Sequence, residues 1–317
     1  MGHKMIRIDQ RHIAAIAAAI VVQSPAHAQS VIGGEKSQVP AIGVELWAST
    51  DSDKTGVVKL LGRALWDFEG SAKYQGIDVE RAWFSPDGQH ARVQSRVYLD
   101  LADTLDAKWN WTARIGTNGH TVLGSASIRS RDWSKELFVE REVVETPRGL
   151  DQGIYYTFAG ASLDLISRPH DTLNGMAGFQ KFSGRNDRLH LRATYVHVVS
   201  SRNGISIQLR ARYFHSSHPN EFDYFSPREF LQLIPVLQMR RFTHSGWMVL
   251  LAAGYGEQKA TGSGWQAARL ADFRVESPAS SRKLRAYVEV QYSNSSLVGA
   301  ASNYRYIVGR IGLTTRL

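Results

Sequence analysis

The chain has 317 residues, no cysteine, 43% hydrophobic residues and a formal net charge of +9. Without cysteine it can have no disulfide framework, no thiol nucleophile and no zinc site built on thiolates. Mean hydropathy is −0.28, and beyond the N-terminal segment no apolar run approaches the roughly 18 residues expected of a membrane-spanning helix. A bundle of membrane helices is therefore excluded.

The N-terminal segment, residues 1–28, has the pattern of an export signal. A basic start precedes the apolar run Ile13–Val22, which is shorter than the roughly 20 residues that a spanning helix needs. Ala26-His27-Ala28 then gives the small-residue spacing that signal peptidase cleaves. We predict cleavage after Ala28. An exported protein meets little nucleic acid, so the positive net charge indicates anionic glycans or lipids as partners.

Beyond residue 40 the dominant pattern has a period of two. Val93 and Val97, for example, alternate with Arg92 and Arg96, and a strand sends successive side chains to opposite faces. Turn-forming residues such as Ser85-Pro86-Asp87-Gly88 separate about sixteen such segments. The segments are 41–49, 56–67, 72–83, 90–102, 107–116, 121–131, 134–143, 152–166, 173–183, 187–200, 204–215, 229–243, 247–258, 264–276, 283–294 and 303–316.

The length of these segments favours a membrane barrel over a soluble sandwich or propeller. Soluble strands usually run about five or six residues, whereas tilted strands that cross an outer membrane need about 9–11. Lipid outside and water inside would also satisfy an apolar face opposite a charged one. We predict an all-β transmembrane antiparallel β-barrel of about 16 strands over residues 41–317, after a short periplasmic lead-in over residues 29–40. No helix is predicted in the barrel, and outer-membrane lipid and the barrel-insertion machinery are its expected partners.

Aromatic residues lie towards the tips of many segments, where the two membrane interfaces are expected to hold aromatic girdles. We therefore predict that these residues face the lipid headgroups. They are Trp47, Trp66, Phe68, Trp109, Trp111, Tyr213, Trp247, Tyr255, Trp265 and Tyr292.

Three stretches carry a resemblance to a known family. Residues 139–146 (VEREVVET), 224–230 (YFSPREF) and 303–317 (NYRYIVGRIGLTTRL) resemble the C-terminal barrel of tetratricopeptide-containing outer-membrane exporters of exopolysaccharides such as cellulose and poly-N-acetylglucosamine. The resemblance implies a passage for an extracellular polysaccharide and a separate periplasmic or synthase partner. Those exporters carry helical repeats before the barrel, which are missing here, and Leu317 stands where an aromatic residue usually ends the barrel.

A set of arginines falls on the face opposite the apolar one and is predicted to line the pore. Only Asp100 and Glu289 can be placed beside them as acids from the alternation. Either the arginines pair with further lumen acids and brace the wall, or they give the pore a positive potential that favours anionic solutes or an acidic glycan. The set is Arg92, Arg96, Arg114, Arg188, Arg192, Arg210, Arg212, Arg240, Arg285 and Arg310.

A receptor or structural barrel without transport, and an outer-membrane enzyme, are the alternative functions. The chain has no Gly-x-Ser-x-Gly elbow, although Ser216 and His218 are near each other in sequence, as are His244 and Ser245. We expect no catalytic residue and no cofactor.

A polar loop precedes the segment that begins at residue 229. His215, His218, Glu221 and Asp223 match no tight metal-ligand spacing, so we expect a solvated loop and no metal. Pro227 predicts that the Tyr-Phe-Ser-Pro run forms a structural corner before the next strand.

Overall fold

The structure is a computed structural model that describes residues 39–52, 54–70, 72–278, 284–294 and 305–317. The predicted export signal and nearly all of the lead-in lie outside the described residues. Sixteen strands and one short helix, α1 (Pro147–Gln152), make up the regular structure of the described part. The strands are β1 Ala41–Asp51, β2 Gly56–Gly70, β3 Lys73–Ser85, β4 Arg92–Thr104, β5 Trp109–Thr117, β6 Val122–Ser130, β7 Lys135–Val143, β8 Tyr155–Ser167, β9 Asp171–Phe182, β10 Asp187–Ser200, β11 Ile205–Ser216, β12 Glu229–Phe242, β13 Met248–Ala260, β14 Gln266–Glu276, β15 Leu284–Ser293 and β16 Tyr306–Arg316.

The strands form one closed antiparallel barrel in chain order, with β1 paired to both β2 and β16. The Leu317 N–H donates to the Pro40 carbonyl at 2.9 Å, which fixes both chain termini of the barrel at the same end. We call this the terminal end and the opposite one the loop end. Closure pairs the backbone groups that an open sheet would leave at its edges. The predicted all-β barrel of about 16 strands is confirmed.

Alternation along each strand separates an apolar outside from a polar inside. On β4 the outward Val93 and Val97 are 47% and 45% exposed, whereas the inward Arg96 and Asp100 are 3% and 4% exposed. The exposed valine, leucine and isoleucine side chains on the outer face fit a hydrocarbon environment. The polar side chains therefore face an enclosed lumen.

The prediction of a barrel without helix was wrong at one place. Helix α1 lies in the loop between β7 and β8, with Pro147 at its start and the Thr146 hydroxyl accepting a hydrogen bond from the Gly149 N–H at 3.1 Å. Gly153 closes the helix in the left-handed conformation, at φ 64°. Six residues are too few to show a helical period, so the sequence indicates this helix through its capping residues, Thr146, Pro147 and Gly153. No helix in the described ranges is long and apolar enough to cross a membrane.

The expected aromatic girdles hold for some residues and fail for others. Trp66, Tyr255 and Trp265 face outwards and are 45%, 64% and 52% exposed. Trp47 and Phe68, both 7% exposed, point into the lumen instead. A register shift on β2 just before Phe68 changes the face that the following residues occupy, and Trp47 joins an apolar cluster inside the barrel.

Candidate functional site: the lumen and its inserted loops

All ten arginines that the sequence indicated lie on the lumen-facing side of their strands, as the strand register shows. Four of them have a carboxylate within 4.0 Å: Arg92, Arg96, Arg114 and Arg210. Arg210, for example, lies 3.3 Å from Asp272 on β14. The lumen therefore holds acids that the sequence analysis did not assign to it.

One group of ion pairs joins the inner faces of β2 to β5. Arg63 donates two hydrogen bonds of 2.8 Å to the carboxylate of Asp78 and a third of 3.1 Å to Asp100. Arg114 approaches the same Asp78 carboxylate at 3.5 Å. Asp78 has no exposed surface, and fork-to-carboxylate contacts of this kind are strong and geometrically specific. This group braces the wall.

A second group ties a loop to the wall. Arg96 lies 3.1 Å from Glu80 and 3.7 Å from Glu142, and 3.1 Å from Glu145 in the loop after β7. Lys59 on β2 donates to the same Glu145 carboxylate at 2.6 Å. Burial raises the pKa of the Glu145 carboxyl, but the nearby Lys59 and Arg96 outweigh that effect and hold the pKa below its ordinary value. Glu145 is therefore an ionised bridge between two strands.

The segment carrying Glu145, residues 144–154, is a constriction loop. It leaves β7 yet contacts Lys59 on β2, five strands away in the barrel order, so it crosses the lumen. Asp151 accepts two hydrogen bonds of 2.5 Å from Arg92 at the loop end. Leu150 packs against two apolar clusters of the inner wall. These clusters are Trp47, Val57, Ala82, Phe84 and Val308, and Tyr98, Leu123 and Val143.

A second inserted segment, residues 217–228, holds the constriction loop from the other side, and we call it the support loop. Asp223 accepts hydrogen bonds from the Thr146 hydroxyl at 2.5 Å and from the Arg148 N–H at 2.7 Å. Tyr224 stacks on Phe182 of β9, with ring centroids 4.3 Å apart. The two loops therefore form one unit inside the loop end of the barrel.

Aromatic rings surround the arginines of β10 and β11. Arg188 donates to the Ser216 hydroxyl at 3.2 Å and to the Phe225 carbonyl of the support loop at 2.7 Å, and its guanidinium lies 4.4 Å from the Phe214 ring centre. Arg212 lies over the same ring at 5.8 Å. Within the described part of the chain, no carboxylate comes within ion-pair distance of Arg188 or Arg212. Cation–π contacts of this type stabilise buried guanidinium groups, so Arg188 anchors the support loop.

The Tyr-Phe-Ser-Pro run forms the predicted corner. The Ser226 hydroxyl donates to the Tyr224 carbonyl at 3.3 Å and accepts from the Asn220 N–H at 3.0 Å. Phe225 meets Phe214 and Phe230 edge-on at 6.0 and 5.7 Å. The Tyr-Phe-Ser-Pro run therefore turns the chain back into β12.

The polar residues considered for catalysis or metal binding are used otherwise. Ser216 is fully buried and accepts from Arg188, so it does not face His218. Ser217, its neighbour, contacts the His218 Nδ1 at 3.1 Å instead, and no described carboxylate pairs with that histidine. His244 and Ser245 lie in the turn between β12 and β13.

The acids of the support loop bind backbone and hydroxyl groups. Glu221 accepts from the N–H groups of Arg185 and Asn186 at 2.7 and 2.9 Å, and Asp223 caps the constriction loop. His215 lies outside the lumen, 3.9 Å from Glu229. Among the residues that the structure describes, no group of three His, Asp or Glu side chains is placed to hold a metal ion.

No family model matches this chain, and no curated protein sequence is similar to it. Solved structures do resemble it. A bacterial polysaccharide outer membrane secretin superposes with a TM-score of 0.63 at 10% sequence identity, over 88% of this chain and 99% of that chain. The fold is that of an outer-membrane β-barrel. A KdgM porin (TM-score 0.37, 8% identity, 87% and 99% coverage) and OccK7 of Pseudomonas aeruginosa (0.41, 8%, 88% and 98%) align less closely. At such identity these likenesses establish the fold alone.

Proposed function

We propose that the chain forms a passage through the outer membrane for an extracellular polysaccharide and carries no catalytic chemistry. The observation that carries the proposal is a polar lining, ion-paired on β2 to β5, that runs along the lumen from Arg285 and Glu45 near the terminal end to Arg92 at the loop end. Barrels of 16 strands are wide enough to leave an aqueous channel. Both the sequence resemblance to exopolysaccharide exporters and the likeness to a structure named as a polysaccharide secretin support a glycan as cargo.

The charge of the lining bears on the kind of glycan. Ion pairs reduce the positive potential of four of the ten indicated arginines, and Arg188 is enclosed by aromatic rings. Paired charges in a wall largely cancel at a distance. The passage should therefore select for anions less strongly than ten unpaired guanidinium groups would. A separate periplasmic or synthase partner would supply the polysaccharide.

Reconstitution tests the proposal directly. Purified protein in planar bilayers should give stable ion conductance, and vesicles that contain it should release trapped oligosaccharides faster than vesicles without it. Neutral and acidic oligosaccharides of equal length should be released at similar rates. Absence of both conductance and release would overturn the proposal.

A receptor or structural barrel without transport remains the second candidate, and one observation favours it. The constriction loop and the support loop are fixed to the wall and to each other inside the lumen. A variant with the constriction loop replaced by Gly and Ser residues separates the two candidates. Conductance in wild type supports transport, whereas conductance in this variant alone supports a closed barrel.

A further inference from the structure

A cavity of about 240 Å³ lies in the lumen wall near the terminal end, between the strand pairs β1–β2 and β15–β16. The rings of Tyr74 and Tyr287 border it, and so do the carboxylate of Glu45 and the guanidinium of Arg63. Aromatic faces beside in-plane donors and acceptors are a feature of small-ligand sites. The cavity has room for a single pyranose ring.

The Tyr287 ring lies flat against the wall because Gly312, its neighbour on the next strand, has no side chain. A Cβ built at Gly312 on β16 would lie 2.1 Å from Cε1 of the Tyr287 ring and 2.6 Å from its Cζ. Glu45 on β1 lines the same cavity as the tyrosine. One face of the Tyr287 ring therefore covers the glycine, and the other face is left towards the cavity.

The charges around the cavity leave no excess of positive charge. Arg63 is shared by two carboxylates, with contacts of 2.8 Å to Asp78 and 3.1 Å to Asp100. Tyr74 also donates to Asp100, at 3.3 Å. The other charged groups lining the cavity are Glu45, Glu276 and Arg285. Glu276 pairs with Arg274 at 3.0 Å, and Arg285 balances Glu45 in charge. The lining therefore has no net positive charge to attract a uronate, and it favours an uncharged ligand.

We propose that this cavity is a binding subsite for an uncharged sugar unit, placed where a polysaccharide would enter from the terminal end. The inference rests on the proposed glycan passage and specifies the substrate class. The C–H face of a pyranose would stack on the Tyr287 ring, and its hydroxyls would donate to the Glu45 carboxylate and accept from Arg63. Such contacts recognise the sugar ring one unit at a time, so a chain could step past them.

Calorimetric titration of the detergent-solubilised protein tests the subsite without requiring conductance. Cellohexaose is the neutral probe, and hexagalacturonate is the anionic probe of equal length. We expect wild type to bind cellohexaose more tightly than hexagalacturonate. Tyr287→Ala, which removes the ring, and Gly312→Ala, which pushes the ring into the cavity, should each weaken cellohexaose binding about fivefold or more. Tyr306→Ala is the matched control, because it removes a lumen tyrosine near the loop end and should bind as wild type does.

Migration on unheated gels shows which variants form the closed barrel. Tyr287→Phe keeps the ring, and it tests the subsite even if Tyr287→Ala does not fold. It should retain most of the binding, because stacking needs the ring and not the hydroxyl. No binding of cellohexaose by wild type, equal binding by the folded Tyr287→Ala and Gly312→Ala proteins, or tighter binding of hexagalacturonate would overturn the subsite. Binding without conductance or release would instead contradict the proposed passage and support the subsite.

Discussion

The Glu145→Gln variant tests whether the constriction loop is held by the ion pairs that the structure shows. The substitution keeps the shape of the side chain and removes the charge that Lys59 and Arg96 share at 2.6 and 3.1 Å. Removal of one partner from a buried ion pair costs about 3–5 kcal/mol, because it leaves an uncompensated charge. Arg96 keeps Glu80 and Glu142 as partners, so we expect the lower end, about 3 kcal/mol. That loss raises the undocked population of the loop by roughly two orders of magnitude.

Single-channel recording measures this change. We expect Glu145→Gln to switch between two conductance levels or to show a larger mean conductance, and we expect faster trypsin cleavage at the exposed Arg148. Asp151→Asn is the control: it removes a pair whose acid is half exposed, and such pairs contribute about 1 kcal/mol or less. The heat resistance of the barrel should be unchanged in both variants, because neither touches the strand ladder.

The pH dependence of wild type follows from the same carboxylate. Because the pKa of Glu145 is lowered in the folded protein, its stabilising effect is complete above its ordinary value of 4.5. The effect is lost only as the pH falls through the lowered folded value. Wild type should therefore behave like Glu145→Gln only well below pH 4.5. Identical traces and identical cleavage for wild type and Glu145→Gln at pH 7 would refute the assignment of this bridge.

Three further predictions address the membrane face, the lumen field and the N-terminus. Leu209→Arg places a charge at a lipid-facing position, 41% exposed, and should cost about 2–4 kcal/mol in refolding titrations, while Gln291→Arg, on the inner face beside the Glu289 carboxylate, should be mild; equal costs would contradict the register. Arg240→Gln should move the reversal potential of the channel towards cations at low salt and not at 1 M; an unchanged potential would remove Arg240 from the conducting path. Mass spectrometry of the membrane-purified protein should find Gln29 first, and a retained leader would refute export by this route.

The strands could be predicted because every strand of such a barrel meets the same two environments. Lipid on one side and water on the other repeat for sixteen strands, so the period-two signal accumulates along the chain. Turn residues then fix the hairpins one by one. Local sequence information is sufficient for this part of the fold, and strand ends such as Ser200 and Ser216 were placed to within a residue.

The partners of the lumen arginines could not be predicted in the same way. Asp78 and Arg63 are opposite each other in the register of β2 and β3, and this pairing could be found once the hairpin was aligned. Glu145 and Asp151 are different, because they come from the loop after β7 and reach strands that lie three to five segments earlier, β4 and β2. Period-two alternation carries no information on where a loop folds, and a six-residue helix adds almost none.

The alternation within β3 does contain a trace of that loop. In its first half the apolar Ile77 and Val79 face outwards and are 44% and 56% exposed, as the lipid requires. In its second half the apolar residues on the inner face are Ala82 and Phe84, which are 0% and 2% exposed. Apolar side chains are favoured wherever water is excluded, whether lipid or packed protein excludes it. The constriction loop excludes water from the part of the inner wall against which it packs. An inversion of polarity within one strand is therefore the sequence signal that locates the docking site of an inserted loop.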